Sequence, residues 1–460
     1  MRKALISRLL GAAILPIVIG CSRDPGPPNI ILILTDDQGW SQLSGSMDPT
    51  VDGLASTYLE TPNMNRILSE GRRFPSAYSP APLCTPTRRS ILCGTSSARS
   101  GDEFRSPWIP SEHLTIPRAL KSVEPSYRCA HFGKWGSKMI SSPEECGYDE
   151  SSGMTGNRHG GVPRSLGYDV EHHEGPPHYI DDEDPKRTDS VTAKAVAFIE
   201  QQIAEGNPFY LQVSYYAQHV SIVCRGETIA KYVAKGVPDR AYTAAWAAML
   251  EELDTGIGRI LDAVDRSGAA SNTYVFFTSD NGGDFSVPGG DESRRQNNAP
   301  LLGAKHSLYE GGIRVPFAVR GPGIAAGSIC REPIVGYDLL PTFVELAGGQ
   351  PDVSSGEVDG VSIRPLLDEE TPAPLPRGPE GIVFHRASFR MTASRRGAFK
   401  LILHWGEDGS VARRELFDLS LSPIEQGREL SAAEPERVVQ MENDVLTFMG
   451  AIASGQPAAK

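Results

Sequence analysis

The sequence predicts an α/β protein with a large central mixed β-sheet flanked by helices and a smaller C-terminal antiparallel sheet subdomain. Three observations carry this reading. Continuous apolar, β-prone runs at residues 29–35, 208–215 and 273–278 have the pattern of central strands covered on both faces. A strongly periodic helix over about 240–265 leads straight into the third run, an α-to-β unit. Past residue 350 the chain turns rich in Pro, Gly and acid, and three short β-like pieces follow.

Along the chain, Arg2 and Lys3 precede an apolar stretch over residues 9–20 that ends at Cys21. A charged start before a short apolar run reads as an export signal, too short for a mature membrane span. Val18-Ile19-Gly20-Cys21 resembles the lipobox of bacterial lipoproteins. Cys21 is therefore the expected lipid anchor, residues 23–28 the tether, and the periplasm or outer membrane of a bacterium the expected location. An ordinary cleaved signal is the alternative. This divides the chain into a signal at 1–21, an α/β domain at 22–350, and a linker with a small α+β subdomain at 351–460.

The first run ends in Asp36-Asp37, and the third ends in Ser279-Asp280-Asn281-Gly282-Gly283. The second ends near His219. Open α/β sheets carry their sites at the carboxyl ends of strands. In the long helix, Tyr242, Trp246, Met249, Leu250, Leu253, Ile257, Ile260, Leu261 and Val264 return on one face, with Asp239 as the expected cap. A shorter helix over 337–348 closes on glycine. Residues 381–392, 398–405 and 415–419 read as strands, and 435–449 as a terminal helix.

Composition narrows the function classes. The chain has 460 residues, 45 basic and 57 acidic, for a net charge of −12. That balance argues against a partner held by phosphate contacts, so no nucleic-acid partner is expected. It also means that an anionic substrate needs a local cluster of Lys, Arg or metal. The 47 Gly and 36 Pro suit long loops above a sheet. Setting Cys21 and Cys84 aside, Cys93, Cys129, Cys146, Cys224 and Cys330 remain. An exported chain permits disulfides among them, with at least one thiol left over.

Asp36, Asp37, Asp280 and Asn281 form an oxygen-only set suited to a hard cation such as Ca²⁺ or Mg²⁺; loop-start Asx caps are the plainer reading. In Cys84-Thr85-Pro86-Thr87-Arg88, Thr85 can cap a helix with Pro86 in its first turn. Cys84 then lies at a helix mouth whose free N–H groups favour an anion, with Arg88 facing back toward it. Physically this is a setting for a reactive cysteine. A structural cysteine before a capped helix is the alternative.

Taken in order, these motifs resemble the formylglycine-dependent sulfatases, arylsulfatase type, of the alkaline phosphatase superfamily. Cys84-Thr85-Pro86-Thr87-Arg88 looks like their Cys-x-Pro-x-Arg signature. Gly133-Lys134-Trp135, His219, Ser279-Asp280-Asn281-Gly282 and Lys305 with Glu310-Gly311-Gly312-Ile313-Arg314-Val315-Pro316 match further motifs. Lys400-Leu401 and residues 415–419 resemble the family's C-terminal subdomain. The resemblance implies an alkaline phosphatase-like sheet and hydrolysis of a sulfate ester, with a sulfated carbohydrate as the preferred substrate class. It implies a formylglycine-generating enzyme as the maturation partner that converts Cys84 to formylglycine. It further implies one divalent cation, usually Ca²⁺, held by Asp36, Asp37, Asp280, Asn281 and residue 84. Arg88, Lys134 and Lys305 would counter the sulfate charge and His219 would donate to the sulfate or the departing oxygen. Two departures stand out: Cys93 in place of the usual Thr, and Gly136 where the family carries His after Gly-Lys-Trp. The second bears on sulfate release more than on binding, and His131 is the candidate substitute. Residues 159–178, with His172, His173 and Glu174, are the expected specificity loop. The competing readings are a phosphonate monoester or phosphodiester hydrolase using the same site, and a sulfated-ligand binding protein that has lost turnover.

Overall fold

The first apolar run forms strand β1, Asn29–Thr35, with all seven residues buried. Its side chains alternate as the pleat requires. Ile31 and Ile33 enter one core, while Ile30, Leu32 and Leu34 enter the other. Full burial of each such side chain is worth roughly 1.5–3 kcal/mol, which makes this strand the spine of the fold. The structure is a computed structural model and describes residues 26–101, 106–160, 178–350, 357–368, 373–420, 422–425 and 427–454.

Seven further strands complete the large sheet: β2 (Arg72–Arg73), β3 (Arg128–Gly133), β4 (Glu150–Ser151), β5 (Phe209–Ser214), β6 (Thr273–Ser279), β7 (Phe317–Arg320) and β8 (Ser328–Ile329). Their spatial order is β8-β2-β7-β6-β1-β5-β3-β4. The centre is parallel, with β1 between β5 and β6 and β3 beside β5. β7 runs antiparallel to β6 and β2, so the sheet is mixed.

Helices α2 (Thr188–Glu205) and α3 (Ala244–Arg266) cover one face. Helices α1 (Cys84–Cys93) and α4 (Leu339–Leu346) cover the other. α3 starts four residues later than expected. Thr243 is its cap, accepting from the Trp246 N–H at 3.1 Å, whereas Asp239 accepts from Ser56 Oγ and the Thr57 N–H. A distant loop thus outcompetes the local cap.

The C-terminal sheet is antiparallel in the order β9 (Ile382–Arg386), β10 (Met391–Arg396), β11 (Phe399–Trp405) and β12 (Val411–Asp418). The single strand expected over 381–392 is in fact two. The chain reverses through a turn at Ala387–Phe389 with Arg390 at φ 51°, a left-handed position that carries no Gly or Asn to announce it. Helix α5 (Pro435–Ala453) packs Val438, Met441 and Val445 on one face of this sheet. The other face meets Tyr78, Leu308, Ile313 and Tyr337.

Disulfides permitted by export are absent among the described residues. Cys84, Cys93, Cys129, Cys146, Cys224 and Cys330 are all buried free thiols. Cys93, Cys129 and Cys146 pack in the α1–α4 core as small apolar side chains. No described helix is long and apolar enough to cross a membrane. Cys21 lies outside the described residues.

Candidate active site

Parallel pairing delivers the site. Thr35 is opposite Ser279, Leu34 opposite Ser214, and Gly133 opposite the same Ser214. Four neighbouring strands therefore end level, and on three of them the next residues are Asp36, Asp280 and Lys134. Backbone bonds stitch these ends together: Asp280 N–H to Thr35 O at 3.1 Å, Lys134 N–H to Ser214 O at 2.7 Å, and Asp36 N–H to Ala217 O at 3.0 Å. Asp37 adopts φ 58°, and its N–H donates to Asp280 Oδ1 at 3.1 Å.

Cys84 is the first residue of α1. Leu83 precedes it in extended conformation with no side-chain cap. Thr85, the expected cap, is instead inside the first turn, its Oγ1 buried without a hydrogen-bond partner. The helix entrance is thereby left open toward Asp36 and Asp280, whose carboxylate oxygens lie with Cys84 Sγ within 4.8 Å of one another.

Each carboxylate meets its own cation. Lys134 Nζ pairs with Asp36 Oδ2, and Lys305 Nζ with Asp37 Oδ2 at 2.6 Å. Arg88 donates Nε and Nη2 to Asp280 Oδ2 at 2.9 and 2.7 Å, and Nη1 to Lys134 O at 2.6 Å. Arg88 thus faces carboxylate and backbone, so its effect on a bound anion runs through Asp280 and Lys134. Asn281 Nδ2 donates to Asp37 Oδ1 at 2.7 Å. His219 Nε2 stands 3.9 Å from Asp37 Oδ2. All nine residues expected at the site converge here.

The electrostatics follow from burial. Burial works against the charged forms of Asp36 and Asp37, yet Lys134 and Lys305 hold both below the usual carboxylate range. Burial and the Asp36 charge push Asp280 up to about 7. Burial also raises the Cys84 thiol, with Lys134 opposing and Asp36 and Asp280 adding. Burial thus works against the thiolate here, opposite in sign to the helix-mouth effect. Burial, reinforced by Lys305 and Lys134, brings His219 down to about 3. Its neutral ring donates Nδ1–H to Val220 O and leaves Nε2 to accept from Asn157 Nδ2 at 3.3 Å.

A divalent cation fits this donor set. Asp36 Oδ1 and Asn281 Oδ1 are buried acceptors without a hydrogen-bond partner. Three carboxylates and an amide oxygen suit Ca²⁺ or Mg²⁺ rather than a nitrogen-preferring metal.

Gly136 donates its N–H to Thr155 O at 2.9 Å. A Cβ there would lie 2.6 Å from Met139 Cγ, so a side chain enters only if Met139 moves. His131 does not replace the missing imidazole. Its Nε2 bonds Ser214 Oγ at 3.1 Å, and its ring packs edge-on against Trp135 and Tyr148. Two site residues went unread in the sequence. Asn157, against His219, is one amide in a polar loop and carries no pattern. Gln218, with both side-chain polar atoms buried and unpartnered, could have been found from its place beside His219 after a strand end. His172, His173 and Glu174 lie outside the described residues.

Level parallel strand ends carrying carboxylates, a helix mouth at Cys84 and buried lysines define an alkaline phosphatase-like site, and comparison with known proteins narrows the class. The chain belongs to the sulfatase family, whose profile matches residues 28–349. N-acetylgalactosamine-6-sulfatase of Mus musculus is 32% identical over 377 residues, covering 75% of this chain and 66% of that protein. The chain thus spans just under two thirds of that relative's length. A sulfatase of Formosa agariphila is 30% identical, covering 75% of this chain and 73% of its own. The crystal structure of Ps i-CgsB shares the fold with a TM-score of 0.71 at 24% identity, over 92% of this chain and 93% of that one.

Proposed function

We propose that this protein hydrolyses a sulfate ester on a sulfated carbohydrate, with Cys84 matured to formylglycine and one Ca²⁺ held by Asp36, Asp37, Asp280, Asn281 and residue 84. The observation that carries the reading is the convergence at Cys84. Lys134, Lys305 and Arg88 meet there beside the unpartnered oxygens of Asp36 and Asn281.

When bound, the cation would supply Lewis-acid charge to a sulfate oxygen, and the hydrated aldehyde would supply the nucleophilic oxygen. The chain does the rest. The open N-terminus of α1 presents N–H groups to an anion. Lys134 and Lys305 flank it with ammonium charge in a buried site, where fixed charge counts for more than in water. Arg88 holds Asp280 and the Lys134 carbonyl in place. His219 is neutral because burial and two lysines keep it so. An anion bound beside it offsets those lysines, so Nε2 can take up a proton from solvent as substrate enters and pass it to the departing oxygen.

The sugar preference is supported by the likeness to mouse N-acetylgalactosamine-6-sulfatase, whose name specifies a sulfated amino sugar. The same reading takes 22–350 as the catalytic domain, 351–460 as linker and subdomain, and 1–21 as an export signal with Cys21 lipidated.

The test is expression with a formylglycine-generating enzyme, peptide mass across residues 79–99, and turnover of an aryl sulfate and a panel of sulfated sugars. Matched phosphonate monoesters and phosphodiesters run alongside. Sulfate release that requires both conversion at residue 84 and Ca²⁺ is expected. Faster phosphoester cleavage would assign the site to phosphoryl chemistry. Full conversion and metal loading with binding but no release would make the protein a sulfated-ligand receptor.

A further inference from the structure

The segment that carries Lys305 is gripped from outside the large sheet. Residues 303–312 fold tightly on themselves, and Gly311 N–H reaches Leu302 O at 2.7 Å and Gly312 N–H reaches Tyr309 O at 2.9 Å. The segment is also stitched to the Asn281 turn. Lys305 N–H donates to Gly283 O at 2.9 Å and Gly282 N–H to Gly312 O at 3.0 Å. At Gly282, Gly311 and Gly312 an added Cβ would run into a facing carbonyl, so these backbones touch with no side chain between them. Lys305 and Asn281 therefore shift together or not at all.

The C-terminal sheet holds this segment at three points. Arg386, the last residue of β9, donates to His306 O. Glu415 of β12 accepts from Tyr309 Oη at 2.7 Å. The third point is fully buried. Lys400 of β11 donates to Glu310 Oε1 at 2.8 Å and to Glu425 Oε1 at 2.9 Å, while Glu425 Oε2 accepts the Glu310 N–H at 2.8 Å. On the other Glu310 oxygen, Arg314 Nε sits at 2.5 Å and Tyr78 Oη at 3.0 Å. Lys400, Glu310 and Glu425 are each 0% exposed. Ion pairs at such depth add little net stability over apolar side chains, but they tolerate only one geometry.

We infer that Lys400 and Glu425 are positioning residues for sulfate ester hydrolysis: through Glu310 they fix the 303–312 segment, and with it the Lys305 ammonium at the anion site. This rests on the function proposed above. The C-terminal subdomain then acts as a clamp on catalytic machinery that it does not itself supply.

The test is a double-mutant cycle on the full, matured chain. Lys400→Met should lower aryl sulfate kcat about tenfold with a smaller change in KM, because a shifted ammonium loses transition-state contact first. In a Lys305→Ala background the same substitution should cost under about twofold, the coupling expected of residues acting through one another. Tyr309→Phe, at the partly exposed point, should show the same pattern more weakly, and it carries the cycle if Lys400→Met fails to fold. Amide hydrogen exchange supplies a readout independent of turnover: faster exchange at 281–283 and 303–312 in the variants, with 84–93 unchanged. Losses that multiply fully in the Lys305→Ala background would overturn the inference. So would exchange that rises everywhere or nowhere. An inactive wild-type enzyme would instead count against the hydrolase reading, and the exchange pattern would still decide the clamp.

Discussion

Lys134 is fully buried, and its ammonium answers the Asp36 carboxylate, also fully buried. Removing one member of such a pair strands the other as an uncompensated charge, at a cost of about 3–5 kcal/mol. Lys134→Ala should therefore lower the melting temperature of calcium-free protein sharply. Added Ca²⁺ should recover most of that loss, because a cation at Asp36 replaces the missing charge. Activity should not recover in parallel. Loss of one preorganised positive group costs about 10²–10³ in kcat. Thermal melts with and without Ca²⁺, run beside kinetics, separate the two effects. Equal stability of mutant and wild type in chelator would show that Asp36 does not depend on Lys134. The sequence made this lysine visible only through its motif, Gly133-Lys134-Trp135, since a lysine after a strand is usually a solvated one. The parallel register turns it inward.

At the scale of elements, the joint between the 310–313 helical turn and β11 is titratable. Burial pushes Glu425 up to about 7; Lys400 opposes this and the Glu310 charge adds to it. Glu310 goes the other way. Burial would raise it, but Arg314 and Lys400 hold it down to about 2. Arg395 and Tyr78 complete the set of groups facing the pair. A carboxyl raised by folding contributes stability below its unfolded pKa and loses it as pH rises through the folded value. The Glu425 contribution is therefore present near pH 4 and lost between about pH 4.5 and 7. Glu425→Gln mimics the protonated form and escapes that loss. The variant should melt close to wild type near pH 4.5 and gain on it as pH rises to 8, by an amount on the order of 3 kcal/mol. A melting difference that does not change across that range would mean that Glu425 stays ionised throughout.

The same element shows what a linear reading misses. Lys400 lies 90 residues from Glu310, and Glu310 lies 115 from Glu425. No period or spacing links them: the motifs that hold Glu310 and Lys400 mark each residue but not their pairing, and Glu425 carries no motif at all. The hairpin at 387–390 went unread for a related reason, because its left-handed residue is Arg390 rather than Gly or Asn. By contrast, β1 was legible end to end. A strand covered on both faces must be apolar at every position, and that pattern needs no partner to be seen.

For the whole molecule, the acidic total of −12 surrounds a pocket where Lys134, Lys305 and Arg88 answer three carboxylates. A cation that binds only the folded chain stabilises it by mass action, about 2.7 kcal/mol at a hundredfold excess over Kd. Chelation should lower the melting temperature by a few degrees and abolish turnover, and Ca²⁺ should restore both. Restoration by Zn²⁺ but not by Ca²⁺ or Mg²⁺ would contradict the oxygen-only donor set.

By itself the amino-acid sequence determined the strands that end in Asp36-Asp37 and Asp280-Asn281, the helix that opens at Cys84, and the chemistry those side chains can perform. These are properties of short contiguous segments, where apolar runs and a proline in a first helical turn act over a few residues. Only the tertiary structure decided that Arg88 serves Asp280, that His131 turns into an aromatic core instead of supplying the imidazole Gly136 lacks, and that a C-terminal sheet holds the Lys305 segment. Those outcomes depend on which strands lie side by side, in which register, and on buried charges meeting across a hundred residues of chain. Burial of apolar surface sets that arrangement globally, and no local pattern carries it.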